Sequence, residues 1–321
     1  MAVAARIALG CSPLAGADHS GSRSAEYRDR FAQAERVSEV WDAFRSAGGR
    51  ALHLVDDARL WAAWQTRASL QDCEIWLSLG TGPWEPWLPA LATRAGSRAI
   101  MDARAADAGE PLDEFAKRAR DYGVRPWVAT RRPAALFRSR RDLHHVEGVL
   151  LPFNPAGVLM DGTPDTIARL ARERVPHVVA AMPLGAGAVR FPDGIAYAAM
   201  RFPDVVAGTG SAEHAEQIAR LEPHLPLLAH DVPLRRTAAA GVDIAAYPDE
   251  VILTRDHRCL TFGGAAVRVW DELATPRTLA GIISTVAETA PPQVAGPALE
   301  AAIAGLVLRL AVWGVVERAW P

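Results

Sequence analysis

A single lysine, Lys117, stands against 34 arginines in this 321-residue chain, so any chemistry that needs a side-chain amine is confined to one position. That position lies in the stretch Glu110-Pro-Leu-Asp-Glu-Phe-Ala-Lys-Arg-Ala-Arg-Asp-Tyr-Gly123, where Phe115 and Ala119 mark the inner face of a helix and leave Lys117 in water. Three cysteines, Cys11, Cys73 and Cys259, are far apart and form no C-x-x-C pair, which argues against both a disulfide framework and a zinc cluster. His144 and His145 are adjacent; on a strand they point to opposite faces and cannot chelate one metal. No grouping of serine, histidine and acid, or of cysteine and histidine, along the chain argues a nucleophile, and distance in sequence does not exclude one. Residues 131–145 hold the densest basic stretch, either a solvated loop or a surface for an acidic peptide or partner. Trp76, Trp84 and Trp87, interleaved with Pro83, Pro86 and Pro89, form either an interface patch or a loop packed on its own rings. Taken together, these residues predict no catalytic group, no metal and no bound cofactor.

Half the chain is apolar and its net charge is −2, which excludes a disordered protein and gives enough material for one large or two ordinary domains. The first ten residues are too weakly apolar for a signal peptide before the chain turns polar at Ala17-Asp18-His19. The most apolar run, 303–316, is interrupted by Arg309 and falls short of a bilayer span of about 20 residues. Reduced thiols and the lack of a membrane segment lead to an expected cytoplasmic location.

Short apolar runs at 7–9, 51–55, 74–79, 99–102, 126–129, 148–152, 177–182 and 204–207 alternate with amphipathic patterns such as 28–47, 112–122, 164–174 and 212–221. Eight β/α units in about 220 residues predict a (β/α)8 TIM-like barrel over residues 1–222. An open doubly wound sheet would expect a Gly-rich phosphate turn after the first strand, and Gly10-Cys-Ser-Pro-Leu-Ala-Gly16 is not G-x-G-x-x-G.

The strand ends carry a more specific pattern. Val149-Leu-Leu-Pro-Phe-Asn-Pro155, Val178-Val-Ala-Ala-Met-Pro-Leu-Gly-Ala-Gly187 and the run from Ile195 to Gln217, with Gly-Thr-Gly-Ser-Ala-Glu-His at its centre, resemble the later half of aldo-keto reductases. The resemblance implies that Gly208, Ser211 and Glu213 line the face that receives a nicotinamide dinucleotide; independently of it, such glycines serve tight βα turns. Reductase chemistry in that family needs tyrosine, lysine, aspartate and histidine together to deliver a proton. Here Val55-Asp-Asp-Ala-Arg-Leu-Trp61 keeps Asp56 but puts Trp61 in the tyrosine's place, and Leu77-Ser-Leu-Gly-Thr-Gly82 puts Gly80 where a lysine is needed. No histidine occurs between His53 and His144, so the fourth strand supplies none. The resemblance therefore implies a barrel of reductase shape with degenerate positions Asp56, Trp61 and Gly80.

Beyond a proline-bearing stretch at 223–240, read as a semi-rigid tether, residues 241–321 form a separate pattern: two β-branched runs around Arg255-Asp256-His257, then three helices. The first, 265–273, buries Val269, Trp270 and Leu273; the second starts at Thr275-Pro276; the third, 297–313, aligns Leu299, Ile303, Leu306, Val307 and Leu310 on one face and stops at Gly314. The order P-D-E-V-I-L, L-T-F-G-G-A-A-V-R-V-W-D-E-L, R-T-L-A-G-I-I, L-V-L-R-L-A-V-W-G-V-V-E resembles PqqD-like domains, winged-helix elements that hold the leader of a ribosomally made peptide for its modifying enzyme. That resemblance implies a small α+β winged-helix domain whose third strand adds a peptide strand at its edge. The implied peptide-binding residues are Arg258, Cys259, Leu260, Thr261 and Phe262 on the strand, with Glu300, Ile303, Val307 and Leu310 on the flanking helix. A proline at Leu260 would then remove an edge donor. DNA binding is disfavoured, because arginines in the module are slightly outnumbered by acids and the third helix offers little beyond Arg309.

The expected function is a non-catalytic partner subunit. It presents a precursor peptide to a separate metalloenzyme, as a heterodimer, in the manner of partners of multinuclear non-haem iron oxidative enzymes or radical SAM maturases. The alternative is an NAD(P)-dependent oxidoreductase with an atypical active site acting on a peptide held by the module.

Overall fold

The computed structural model describes residues 5–16, 23–67, 70–80, 84, 86–229 and 231–319. Thr81, Gly82 and Pro83, which figure in the strand-end and aromatic motifs, and the Ala17-Asp18-His19 polar turn lie outside the described residues. In chain order the first part runs β1 (Arg6–Gly10), α1 (Ser24–Arg30), α2 (Ala34–Ser46), β2 (Ala51–Val55), α3 (Ala58–Gln65), β3 (Glu74–Leu79), α4 (Leu88–Ala92) and β4 (Arg98–Met101). It continues through α5 (Ala103–Asp107), α6 (Leu112–Asp121), β5 (Arg125–Ala129), α7 (Pro133–Ser139), β6 (Gly148–Pro152), α8 (Pro164–Arg174), β7 (His177–Ala181), α9 (Asp193–Ala199), β8 (Asp204–Gly208) and α10 (Ala212–Leu221). The strands β1 to β8 pair in sequence order, all parallel, and β8 closes on β1. This is the expected (β/α)8 barrel.

Alternation along each strand divides its residues between two cores. Leu52, Leu54, Ile75, Leu77, Ala99 and Met101 pack outward under the helices, whereas Ala8, Ala51, Trp76, Ile100, Trp127, Leu150, Val179 and Val206 fill the lumen. At the floor, where the strands begin, Arg98 is 3% exposed and lies between two indoles, 3.9 Å from the Trp76 ring centre and 4.3 Å from that of Trp127. Its guanidinium bonds Asp204 at 2.6 Å and approaches Glu74 at 3.7 Å. Burial pulls the Arg98 pKa down and the Asp204 carboxylate pulls it back. The floor of the lumen is thus filled by two indoles and a paired charge, so entry is from the opposite end.

The helix expected over 28–47 is two helices, broken between Arg30 and Ala34. Phe31 is buried, and so are Val37, Val40, Trp41 and Phe44. At about 100° per residue, Phe31 would sit roughly 80° or more away from each of the other four on one straight helix. Breaking the helix lets both sets reach the core.

The C-terminal part contains β9 (Pro233–Arg236), β10 (Asp243–Ala246), β11 (Glu250–Arg255), β12 (Arg258–Gly263), α11 (Ala265–Glu272), β13 (Arg277–Thr278), α12 (Leu279–Ala287), α13 (Pro297–Val312) and β14 (Val316–Arg318). It is an α+β unit with two small antiparallel sheets, ordered β10-β11-β12 and β13-β9-β14. Part of the stretch read as a tether is therefore the central strand of a sheet: Pro233 opens β9, where a missing N–H is tolerated, and Leu234 is fully buried. The second helix begins at Leu279 and not at Thr275-Pro276, because Arg277 and Thr278 pair with β9 and the Thr278 hydroxyl caps the helix, accepting from the Gly281 N–H at 3.2 Å.

The third module helix departs most from expectation. Ala301, Ile303, Ala304, Gly305, Leu306, Val307, Leu308, Leu310 and Ala311 are all buried, so α13 is covered on nearly every side. One side meets α11 and α12, and another lies along α9 of the barrel. Gly305 makes the close approach possible: a Cβ there would stand 2.0 Å from Asp193 Oδ1 and 2.8 Å from its Cα. Arg309 bonds Asp193 at 2.8 Å, and Arg201 pairs with Glu300 at the other end of the contact.

Candidate functional site

The strand-end and edge-strand motifs point to two places: the mouth of the barrel, at the C-terminal ends of its strands, and the outer edge of β12. At the mouth, Asp56 follows β2 and is exposed, while Gly80 follows β3. A Cβ on Gly80 would lie 3.4 Å from Asp56 Oδ2, so these two positions are neighbours, as the strand-end motifs implied. Trp61 does not join them. It is 7% exposed, with its ring 4.6 Å from Trp64 and 4.8 Å from Trp87, edge-on to the latter. The Trp84 indole N–H donates to the Gly80 carbonyl at 2.8 Å and its ring meets Phe115 edge-on at 5.0 Å. The tryptophans of this segment are accordingly packed on rings of neighbouring helices, Trp87 on Trp61 of α3 and Trp84 on Phe115 of α6, with Trp76 apart from them in the lumen.

The lumen below the mouth also holds a pair that sequence reading missed. His53 and Ser78 share the lumen-facing alternation of Ala51 and Trp76, and His53 Nε2 stands 2.9 Å from Ser78 Oγ. Both are nearly buried, at 7% and 8% exposure. Around them the strand ends carry small residues, Gly10, Ala129, Ala181 and Gly208, and Gly208 is exposed. Twenty-five residues separate the partners in the chain. Only the lumen-facing alternation of β2 and β3, once those strands are known to be neighbours, would have joined them.

Across the rim the backbone is unusual. Leu159, Met182 and Ala186 have φ of 60°, 55° and 55°, in the left-handed region that non-glycine residues seldom occupy. Buried Asn154 holds this rim, donating to the Val158 carbonyl at 2.9 Å and accepting from the Val158 N–H at 3.0 Å. Of the residues implied to face a dinucleotide, Gly208 is exposed at the end of β8, Ser211 caps α10 and Glu213 lies in the first turn of that helix.

Elsewhere, several candidates prove structural. His144 and His145 lie on a short 3₁₀ turn, Asp142–His145, with ring centres 4.0 Å apart, so they do not point to opposite faces as a strand would require. Among the described residues no group of three or more metal-ligating side chains comes together. Arg140, in the basic stretch, is spent on Asp142 and on the carbonyls of Ala106 and Glu110. Lys117 is exposed, as expected.

In the module, β11 and β12 form a tight hairpin around Asp256 and His257, both at positive φ, 48° and 64°. A two-residue turn of this kind makes its flanking residues a hydrogen-bonded pair, after which bonded and non-bonded pairs alternate. Arg255 with Arg258, Leu253 with Leu260 and Val251 with Phe262 therefore bond across the ladder, while Cys259, Thr261 and Gly263 turn their N–H and C=O groups to the outer edge. This corrects the role assigned to Leu260: its N–H belongs to the ladder, and a proline there breaks the hairpin and leaves the edge donors in place. Leu260 and Phe262 face inward beside Val251 and Leu253, with Phe262 6.1 Å from the Trp270 ring. Cys259 and Thr261 are exposed. The flanking-helix residues are not available to a strand at this edge in the manner expected. Ile303, Val307 and Leu310 are 3%, 0% and 0% exposed, and Glu300 is paired to Arg201 of the barrel. The helix serves the docking contact and the module core.

No protein-family model matches the chain, and no curated protein matches it. Solved structures similar to it include a protein described as an aldo-keto reductase of Pseudomonas aeruginosa, at 11% identity and TM-score 0.47, covering 68% of this chain and 90% of that one. An aldo/keto reductase from Klebsiella pneumoniae, solved with NADP and acetate, has 15% identity and TM-score 0.43, covering 66% and 84%. An aldose reductase from Giardia lamblia has 13% identity and TM-score 0.40, covering 67% and 86%. No helix among the described residues is long and apolar enough to cross a membrane.

Proposed function

We propose that this chain is a leader-binding partner in the maturation of a ribosomally made peptide, with the C-terminal unit acting as a PqqD-like, winged-helix recognition element and the barrel as its platform. The observation that carries the reading is the outer edge of β12, where the exposed backbone of Cys259, Thr261 and Gly263 faces away from the ladder. An extended peptide gains main-chain hydrogen bonds at such an edge. Holding the leader raises the effective concentration of the remaining peptide at a partner's active site, which is the contribution a recognition subunit makes. The partner in this reading is a separate metalloenzyme, of the multinuclear non-haem iron or radical SAM kind, joined as a heterodimer in the cytoplasm.

Calorimetry of the full chain against short peptides encoded beside its gene tests the reading. Thr261→Pro removes one outward donor and should weaken the best peptide by about tenfold, the equivalent of one hydrogen bond at the upper end of its usual range. Unchanged affinity in Thr261→Pro, or no binding by any such peptide, would overturn it. Titration with NADPH while following Trp fluorescence separates the alternative: saturable quenching would favour an oxidoreductase.

A further inference from the structure

We propose that the barrel mouth is a second, catalytic site: an acyl-transfer centre in which Ser78 is the nucleophile and His53 its base, acting on a small ester or thioester. Four observations converge. The Ser78 hydroxyl and His53 imidazole are in hydrogen-bond contact at 2.9 Å, the geometry a general base needs to receive the hydroxyl proton. Ser78 is the penultimate residue of β3, near the end of a parallel barrel where side chains from different strands converge on one site, and His53, midway along the neighbouring β2, faces it from within the lumen. Gly10 is in register with His53, other strand ends carry Gly208, Ala129 and Ala181, and the lumen floor is filled by Trp76, Trp127 and the Arg98–Asp204 pair, so a ligand can enter only from the mouth. Both residues keep 7–8% exposure, less than a solvated pair and more than the fully closed positions such as Ile100 and Val179 beside them.

The chemistry balances without any co-reactant beyond water. As Ser78 Oγ bonds the acyl carbon, its proton passes to His53 Nε2. The carbon–oxygen or carbon–sulfur bond to the leaving group then breaks, and the imidazolium returns that proton to the departing alkoxide or thiolate. Water, deprotonated by the same imidazole, hydrolyses the acyl-serine and restores the pair. This requires the tautomer with the proton on Nδ1, so that Nε2 accepts from the serine. The site is independent of peptide capture at β12.

The test uses the full-length chain and a small alkyl fluorophosphonate, read by intact mass and peptide mapping. One adduct is expected, at Ser78, absent in Ser78→Ala and formed on the order of 100-fold more slowly in His53→Gln, the usual loss when a general base is removed. Circular dichroism establishes that each variant is folded. Should Ser78→Ala fail to fold, Ser78→Cys serves instead, and chloroacetamide should then alkylate position 78 faster in the His53 background than in the double variant with His53→Gln. No adduct on the parent protein, an adduct at another serine, or labelling of Ser78 at a rate indifferent to His53 would each overturn the proposal. None of these outcomes bears on Thr261→Pro or on peptide affinity.

Discussion

The barrel and the C-terminal module manage their backbones in opposite ways. The eight-stranded ring closes β8 onto β1, so every barrel strand has two neighbours and no sheet edge remains to offer a partner. The module builds two sheets of three strands, each with open edges, and gains its stability in part by laying α13 along α9. A closed ring has no strand edge to offer, so a site in it depends on side chains and loops toward its mouth. An open sheet can act through the main chain itself, whatever side chains it carries. The two candidate sites differ in kind for that reason.

Three perturbations bear on this contrast, beginning with the largest. Asp204→Ala removes the close partner of Arg98 inside the barrel floor and should cost about 3–5 kcal/mol, since it leaves a buried guanidinium with only the distant Glu74. Replacing both residues with apolar ones of similar volume should cost far less; urea denaturation of the single and double variants measures the difference. If Asp204→Ala is nearly neutral, the floor is not the rigid plug that confines entry to the mouth.

Gly305→Ala attacks the seam between the two regions. Its methyl group would overlap Asp193, including backbone, and should destabilise the chain by about 1–3 kcal/mol, more than the roughly 1 kcal/mol that alanine gains over glycine within a helix. Two separate unfolding transitions in place of one, followed by Trp fluorescence, would show that docking joins barrel and module into one cooperative body. An increase in Tm would mean that the α9–α13 contact is loose in solution.

The smallest effect concerns pH. Burial raises the pKa of Asp193 above its ordinary 3.8, with Arg309 pulling it partly back. A carboxyl whose folded pKa is raised contributes stability fully present below its unfolded value and lost as pH rises through the folded one. Asp193→Asn, a neutral isostere, should therefore raise Tm at pH 7 by about 1–2 °C, and the gain should shrink as pH falls toward 3.8. A lower Tm at pH 7 would show that the Arg309 pair outweighs the burial of the charge, and the seam would then be held chiefly by electrostatics.

Much of the fold was legible in the chain because its signals are local. The apolar runs that became β1 to β8 lie between turn residues at a period that a parallel barrel imposes, and the stripes of α6, α8 and α10 emerge from spacing alone. Misreadings occurred where a distant segment overrode local preference. Pro233–Arg236 reads as tether and becomes a strand because β13 and β14 come to it. Trp61 reads as a replaced catalytic residue at the mouth and is core, because Trp64 and Trp87 close around it.

What the sequence determined by itself was the inventory: one lysine, no cysteine pairs, eight β/α units, and a hairpin around Asp256 and His257. Composition and short-range periodicity are properties of the chain in any conformation. What the tertiary structure decided was proximity. It set Ser78 against His53 across two parallel strands, spent α13 on the barrel in place of a peptide groove, and fixed which donors of β12 face outward. Such contacts depend on strand order, hairpin register and helix docking, where many residues far apart must satisfy one another at once, and no local window of sequence contains them.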